Sequence, residues 1–329
     1  MEYRTLTGTG ASVSRVSLGT MTFGKETDEP TSLRMMDLAI DAGVNWIDTA
    51  NAYTGGRSEE IVGKALKGAK RDRVVLASKV ANLVGPDPHR DQGLHRWHIT
   101  KAVEDSLRRL DTDRLDILYM HKPDHITPIE ESLSAIDRLV QQGKVIYVGM
   151  SNFASWQLCE ARLIAQLHDW AEPVVTQVPY NLITRSIDAE CVPYCVKRGM
   201  AITCYNPLAA GLLTGKHRGE EQPSEETRFA ESDQYYSRYW NETNMQAVEK
   251  LADIADGAGK TLIELALQWL ASQEHVTSII LGARTIEHLE SNLNALGKGD
   301  MATRLDADTL AACDAVWQEI RGPYFSYIR

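Results

Sequence analysis

Eight short apolar runs recur along this chain, separated by segments whose apolar residues return every three or four positions. The runs are Val16–Leu18, Val44–Ile47, Val74–Ala77, Leu115–Met120, Val145–Val148, Val174–Val178, Ala201–Cys204 and Ser278–Leu281. Helical periodicity predicts Thr31–Ala42, Ser58–Leu66, Thr100–Leu110, Pro128–Gln142, Ser155–Leu167, Asp188–Lys197, Leu262–Ala271 and Ile286–Leu296 between or after them. Strands apolar on both faces need cover on both, and alternation with helices supplies it, which implies a parallel sheet. Eight such units imply a closed (β/α)8 TIM barrel rather than an open doubly wound sheet. The glycine fingerprint of a dinucleotide-binding βαβ fold is missing, because Gly8-Thr9-Gly10 runs into strand-like residues instead of a helix. Helix punctuation agrees with the repeat: Thr100, Ser155 and Thr261 stand where N-caps are wanted, and Pro128 at a first helical position. Gly43, Gly143 and Gly199 close helices just before the next strand.

Three pieces lie outside the repeat. Residues 3–15 read as an N-terminal hairpin turning at Gly8–Gly10 and closing the bottom of the barrel. Residues 216–240 form a long, polar, tyrosine-rich loop after the seventh barrel strand, in the place of a lid. Residues 306–329 add a C-terminal helix and the aromatic tail GPYFSYIR. With no linker visible, residues 1–329 are expected to form one domain. The net charge of −10 argues against nucleic-acid or anionic membrane partners. No run approaches the ~18 apolar residues that span a bilayer, and the N-terminus lacks a secretory apolar region, so a cytoplasmic setting is expected. Cys191 and Cys195, one helical turn apart, read as small buried hydrophobes rather than metal ligands. His89, His95 and His98 read as solvated residues of a polar loop, and no metal site is expected.

Four polar residues stand at or just past strand ends: Asp48, Tyr53, Lys79 and His121. In a parallel barrel those ends share one rim, so residues distant in sequence meet in one pocket. Tyrosine beside lysine beside carboxylate suits general acid chemistry, because an ammonium favours the phenolate and brings a proton that titrates near ~10 within reach. Lys79 alone would equally serve as a Schiff-base lysine of an aldolase-like barrel.

The strings WIDTANAY, LASKV, LDILYMHKPD, VGMSNF, TQVPYN, CYNPLAAGLLTGK and SIILGARTIEHLESNL, in that order, resemble the aldo-keto reductase superfamily from about Gly19 to Leu296. The resemblance implies an NADPH-dependent reductase of a small-molecule aldehyde or ketone, with Asp48, Tyr53, Lys79 and His121 as the catalytic four. Tyr53 would protonate the carbonyl oxygen, Lys79 paired with Asp48 would lower the phenol pKa, and His121 would orient the carbonyl. It further implies cofactor contacts from Gly19, Thr20, Met21 and Asp48 near the nicotinamide ribose. Ser151, Asn152 and Gln177 would meet the carboxamide, and Tyr205 the nicotinamide ring, followed by Asn206. Pro207, Leu208, Gly211, Leu212, Thr214 and Lys216 would follow the pyrophosphate. Gly282, Ala283 and Arg284 would meet the 2′-phosphate, followed by Thr285, His288 and Asn292. A guanidinium at a helix N-terminus opposes the dipole unless an anion sits there, which makes Arg284 the sharpest of these. His288 stands where relatives commonly carry Gln or Arg, and Ser291 where they often carry Glu; NADPH is favoured, with NADH possible. The same superfamily includes potassium-channel β subunits, so a cofactor-binding regulatory protein is the alternative. The residues point to no particular oligomeric partner.

Overall fold

Eight strands, all parallel to their neighbours, pair in a ring that begins and ends on the same strand. The computed structural model describes residues 1–220, 222–225, 227–297 and 303–322. Strands β1 (Tyr3–Thr5) and β2 (Ser12–Ser14) form an antiparallel hairpin. The barrel comprises β3 (Val16–Gly19), β4 (Trp46–Asp48), β5 (Val75–Val80), β6 (Leu115–Met120), β7 (Val145–Ser151), β8 (Pro173–Pro179), β9 (Ala201–Tyr205) and β10 (Ser278–Gly282). β10 pairs with both β9 and β3, which closes the (β/α)8 barrel.

Several strands run further than their apolar runs predicted, β5 to Val80, β7 to Ser151 and β9 to Tyr205. Backbone pairing is indifferent to side-chain polarity, so the ladder continues where the inward side chains turn polar.

Helices cover the outside, and their ends show how local chemistry sets boundaries. Thr261 and Glu264 cap Leu262–Ser272 reciprocally, with Thr261 Oγ1 accepting from Glu264 N and Glu264 Oε2 accepting from Thr261 N. Gly43, Gly143 and Gly199 take left-handed φ of +91°, +72° and +61° after their helices, as expected. Three helix starts differ from expectation. Thr100 lies inside the helix Arg96–Leu110, whose cap is His95, its Nδ1 accepting from His98 N at 3.2 Å. Ser155 is the first helical residue and Ala154 the cap, so Gln157 Oε1 supplies the acceptor for Ala154 N. Pro128 shifts the other way, standing at the cap of Ile129–Gln141 rather than at its first helical position.

The three loop histidines are not alike. His89 is exposed, His95 caps a helix and His98 is buried, which holds its imidazole below the ordinary pKa. All five cysteines are free thiols, with Cys191 Sγ and Cys195 Sγ 3.9 Å apart on one helix.

The predicted loop 216–240 contains two short helices, Arg228–Glu231 and Asp233–Tyr239, with Phe229 and Tyr239 buried. The helix Glu242–Gly257 lies outside the predicted repeat and packs against Ala307–Ile320. Its start was legible in Asn241, whose side chain accepts from Asn244 N. The aromatic tail beyond Gly322 lies outside the described residues.

The core has two parts. One fills the space between barrel and helices. The other lies inside the barrel, where Leu6 and Val13 of the hairpin meet Trp46, Ala77, Ile117, Tyr119, Val175 and Ala201. Just beyond the hairpin, buried Arg15 donates from Nη2 to the carbonyls of Leu270, Ala271 and Gln273 at the end of a helix. Burial lowers its pKa to about 10. Among the described residues no helix is long and apolar enough to cross a membrane.

Candidate active site

Side chains two apart on a strand share a face, so residues above the inner core continue inward toward the rim. Asp48 ends β4 two residues after Trp46, and Lys79 lies on β5 two residues after Ala77. Both side chains are sequestered, at 3% and 0% exposure, and Lys79 Nζ donates to Asp48 Oδ1 at 2.5 Å. The ammonium also donates to Thr49 O at 2.8 Å and to Tyr53 Oη at 3.1 Å. Its three donors are thereby satisfied, as a buried lysine requires. The second carboxylate oxygen of Asp48 accepts from Gln177 Nε2 at 2.8 Å.

Tyr53 sits in the short turn Tyr53–Gly56 after β4, and its ring meets that of His121 edge-on at 5.8 Å. His121 follows β6, with Asn82 Nδ2 3.1 Å from its Nδ1. An amide nitrogen only donates, so Nδ1 accepts and the neutral imidazole carries its proton on Nε2. Burial, then Lys79 and Lys122, lower the His121 pKa to about 3. Asn82 was missed in the sequence because nothing local marks a loop asparagine as a partner of a residue 39 positions away.

The structure brings Asp48, Tyr53, Lys79 and His121 together, but the electrostatics differ from expectation at Tyr53. Burial raises its phenol pKa, and the opposing pull of Lys79 does not overcome this. For Lys79 itself burial disfavours the charge, yet Asp48 and Tyr53 outweigh it and hold the pKa above its ordinary value.

Around this centre the remaining predicted residues divide. Gly19 ends β3, where an added Cβ would fall 2.7 Å from Ile280 Cγ2, so close strand packing requires glycine. The Thr20 hydroxyl bonds Asp48 O and Ser58 Oγ, its N donates to Asp48 O and its carbonyl accepts from Phe23 N and Ser58 Oγ, so buried Thr20 is held by the protein itself; Met21, next along, is partly buried. Ser151 ends β7 and Gln177 lies on β8. Asn152, at φ +65°, donates from Nδ2 to Ser151 Oγ and His121 O and accepts from Tyr205 Oη at 2.7 Å. Two of the expected carboxamide trio therefore already hold other site residues, Asp48 and Tyr205.

Beyond Tyr205 the chain makes a tight turn through Asn206, Pro207 and Leu208 into Ala209–Thr214. Leu212 is in the core rather than facing a groove. Gly211 has φ +109°, a conformation suited to glycine, and an added Cβ there would lie 3.8 Å from Lys216 Cε. Thr214 Oγ1 bonds Gly211 O, which fixes the turn.

At the far side β10 ends on Gly282. Ala283 O and Arg284 O accept from Thr22 Oγ1 at 2.9 Å and Thr27 Oγ1 at 3.0 Å, which pins this backbone. Thr285 caps Ile286–Ala295, His288 is exposed on its first turn, and Asn292 is buried. An anion does stand at the guanidinium: Arg284 Nη2 donates to Glu231 Oε2 at 2.8 Å. Sequence reasoning did not find Glu231.

Three features suit a phosphorylated dinucleotide. Asn206 Nδ2 is buried without a hydrogen-bond partner. Gly282 is exposed, with open space where a Cβ would stand. Lys216 and Arg284 place cations in the segments that follow β9 and β10, two strands that pair in parallel.

The sequence profile of the Aldo/keto reductase family matches residues 15–318. A probable voltage-gated potassium channel subunit beta of Arabidopsis thaliana is 36% identical over 321 residues, covering 94% of this chain and 95% of the relative. Aldo-keto reductase YhdN of Bacillus subtilis is 36% identical over 336 residues, covering 98% of each. Human aflatoxin B1 aldehyde reductase member 2 is 33% identical over 328 residues, covering 95% of this chain and 89% of the relative.

Proposed function

The chain belongs to the aldo/keto reductase family, and on that premise we propose that it reduces a small-molecule aldehyde or ketone to the alcohol with NADPH, Tyr53 giving the proton. The observation that carries this reading is the hydrogen bond from Lys79 Nζ to Tyr53 Oη at 3.1 Å. An ammonium has only donors, so the phenol oxygen accepts and its own hydrogen points away from Lys79, toward the space that His121 borders. His121, neutral with its proton on Nε2, offers a second donor to the same carbonyl oxygen. When bound, NADPH supplies the hydride. Tyr53 gives its proton to the oxygen as negative charge develops there, and Lys79, held charged and in place by Asp48, stabilises the phenolate left behind. The raised phenol pKa does not oppose this, since an alkoxide is a far stronger base than a phenolate.

Arg284 would meet the 2′-phosphate, Thr214 and Lys216 the pyrophosphate, and Tyr205 the nicotinamide ring. Ser151, Asn152 and Gln177 would meet the carboxamide once Gln177 and Asn152 share their present partners. Five free thiols suit a reducing compartment, in keeping with a cytoplasmic enzyme.

The test is NADPH consumption over a panel of aldehydes, ketones and sugars, with a parallel binding titration. Tyr53→Phe should lose about 10²–10⁴-fold in turnover while binding NADPH as the wild type does. Retained turnover would remove Tyr53 as the acid. The likeness to a plant channel β subunit supports a second reading, a coenzyme-binding regulatory subunit. NADPH binding with no turnover across the panel would favour it.

A further inference from the structure

We propose that Glu231 sets the coenzyme preference of this protein by holding Arg284 against the incoming 2′-phosphate, so that it narrows the advantage of NADPH over NADH. The proposal rests on Arg284 being the 2′-phosphate site, as read above.

The pair joins residues 53 positions apart, and both sides are anchored. Glu231 ends the short helix Arg228–Glu231, which Phe229 pins: it is 2% exposed, with ring centroids 5.3 Å from His217 and 5.1 Å from Trp240. Trp240 and His217 also meet edge-on at 5.2 Å, so three rings hold the base of this segment. On the other side, Thr27 Oγ1 fixes the Arg284 carbonyl at the end of a barrel strand. Neither partner is a free surface side chain, and each retains partial exposure, 28% for Arg284 and 39% for Glu231. The site is therefore open to an incoming ligand but already holds an anion.

A 2′-phosphate and the Glu231 carboxylate both seek the same guanidinium, and like charges brought together there repel. NADPH must displace Glu231 or share Arg284 with it. NADH brings a 2′-hydroxyl, which can donate to the carboxylate and needs no displacement. The carboxylate thus costs NADPH affinity while leaving NADH affinity nearly untouched. The same logic explains a guanidinium beside a helix N-terminus: its anion is supplied by the protein until a phosphate takes its place.

The experiment is calorimetric titration of wild type, Glu231→Gln, Arg284→Ala and the double variant with NADPH, NADH, 2′,5′-ADP and 5′-AMP. Glu231→Gln should lower the Kd of NADPH and of 2′,5′-ADP by roughly three- to fivefold, the size of a partly exposed ion pair. NADH and 5′-AMP should stay within about twofold. In the Arg284→Ala background the Glu231→Gln effect should vanish, because the carboxylate then has no cation to withhold. Equal tightening of all four probes, weaker NADPH binding, or an effect that survives Arg284→Ala would each overturn the proposal. Wild-type binding of NADPH that Arg284→Ala leaves unchanged would instead overturn the assignment of Arg284. Binding of none of the four would remove the coenzyme reading itself, and this proposal with it.

Discussion

The two ends of the barrel are built from the same strands yet are opposites. Toward the hairpin, the inward positions are Trp46 on β4, Ala77 on β5, Ile117 and Tyr119 on β6 and Val175 on β8, packed with Leu6 and Val13. Two residues further along, the same faces carry Asp48, Lys79, His121 and Gln177. The pleat guarantees that each pair points the same way, so one strand delivers a packing residue and a polar one to successive layers. The lower layer stabilises, since each large side chain fully buried contributes about 1.5–3 kcal/mol. The upper layer costs stability, since buried ions lose several kcal/mol of solvation each. It persists because Lys79 finds three acceptors and Asp48 two donors. The difference teaches that the fold is specified below and the chemistry is tolerated above.

The sharpest way to break this contrast is Lys79→Met, which leaves Asp48 buried with only Gln177 as donor. It should lose about 3–5 kcal/mol in urea denaturation, and adding Asp48→Asn should restore most of that. Wild-type stability in the single variant would mean the rim costs nothing. A smaller effect should come from the boundary between the layers. An added Cβ at Gly149 would fall 2.4 Å from Tyr119 Cδ1, inside a packed barrel. Gly149→Ala should therefore cost about 1–3 kcal/mol by overpacking, read by thermal denaturation. An unchanged melting temperature would show that the Tyr119 ring can shift freely. The smallest effect should be in pH dependence. His121 has a folded pKa of about 3 against an ordinary 6.5. The unfolded chain therefore binds more protons through that window, so stability falls as pH drops from 6.5 toward 3 and is unaffected above it. His121→Asn should flatten the slope of unfolding free energy between pH 6.5 and 5 by less than about 2 kcal/mol. An identical slope in both proteins would mean His121 charges as readily folded as unfolded.

Much of this was legible in the chain because it is local or periodic. The strand at Leu115–Met120 has the bounds its apolar run predicts, and Lys79 and Asp48 announce themselves by ending apolar stretches. At Tyr53 Lys79 pulls the phenol pKa down as expected but burial outweighs it, since desolvation depends on how many atoms surround the hydroxyl and no motif encodes that. The helix Glu242–Gly257 was overlooked beside a long polar stretch, although Asn241 marked its start. Thr100 resembled a cap but the helix had already begun at Arg96, because His95 offered an acceptor a turn earlier.

By itself the sequence determined the alternation of strand and helix, and with it a closed parallel barrel whose rim gathers Asp48, Tyr53, Lys79 and His121. Period and punctuation are properties of neighbouring residues, so they can be read without coordinates. Only the tertiary structure decided that Asn82 orients His121, that Gln177 braces Asp48, and that Glu231 occupies Arg284. Those pairings join residues 39, 129 and 53 positions apart. Their existence depends on which loops and strand ends the closed ring brings within hydrogen-bonding distance, and that distance is set by packing rather than by sequence spacing.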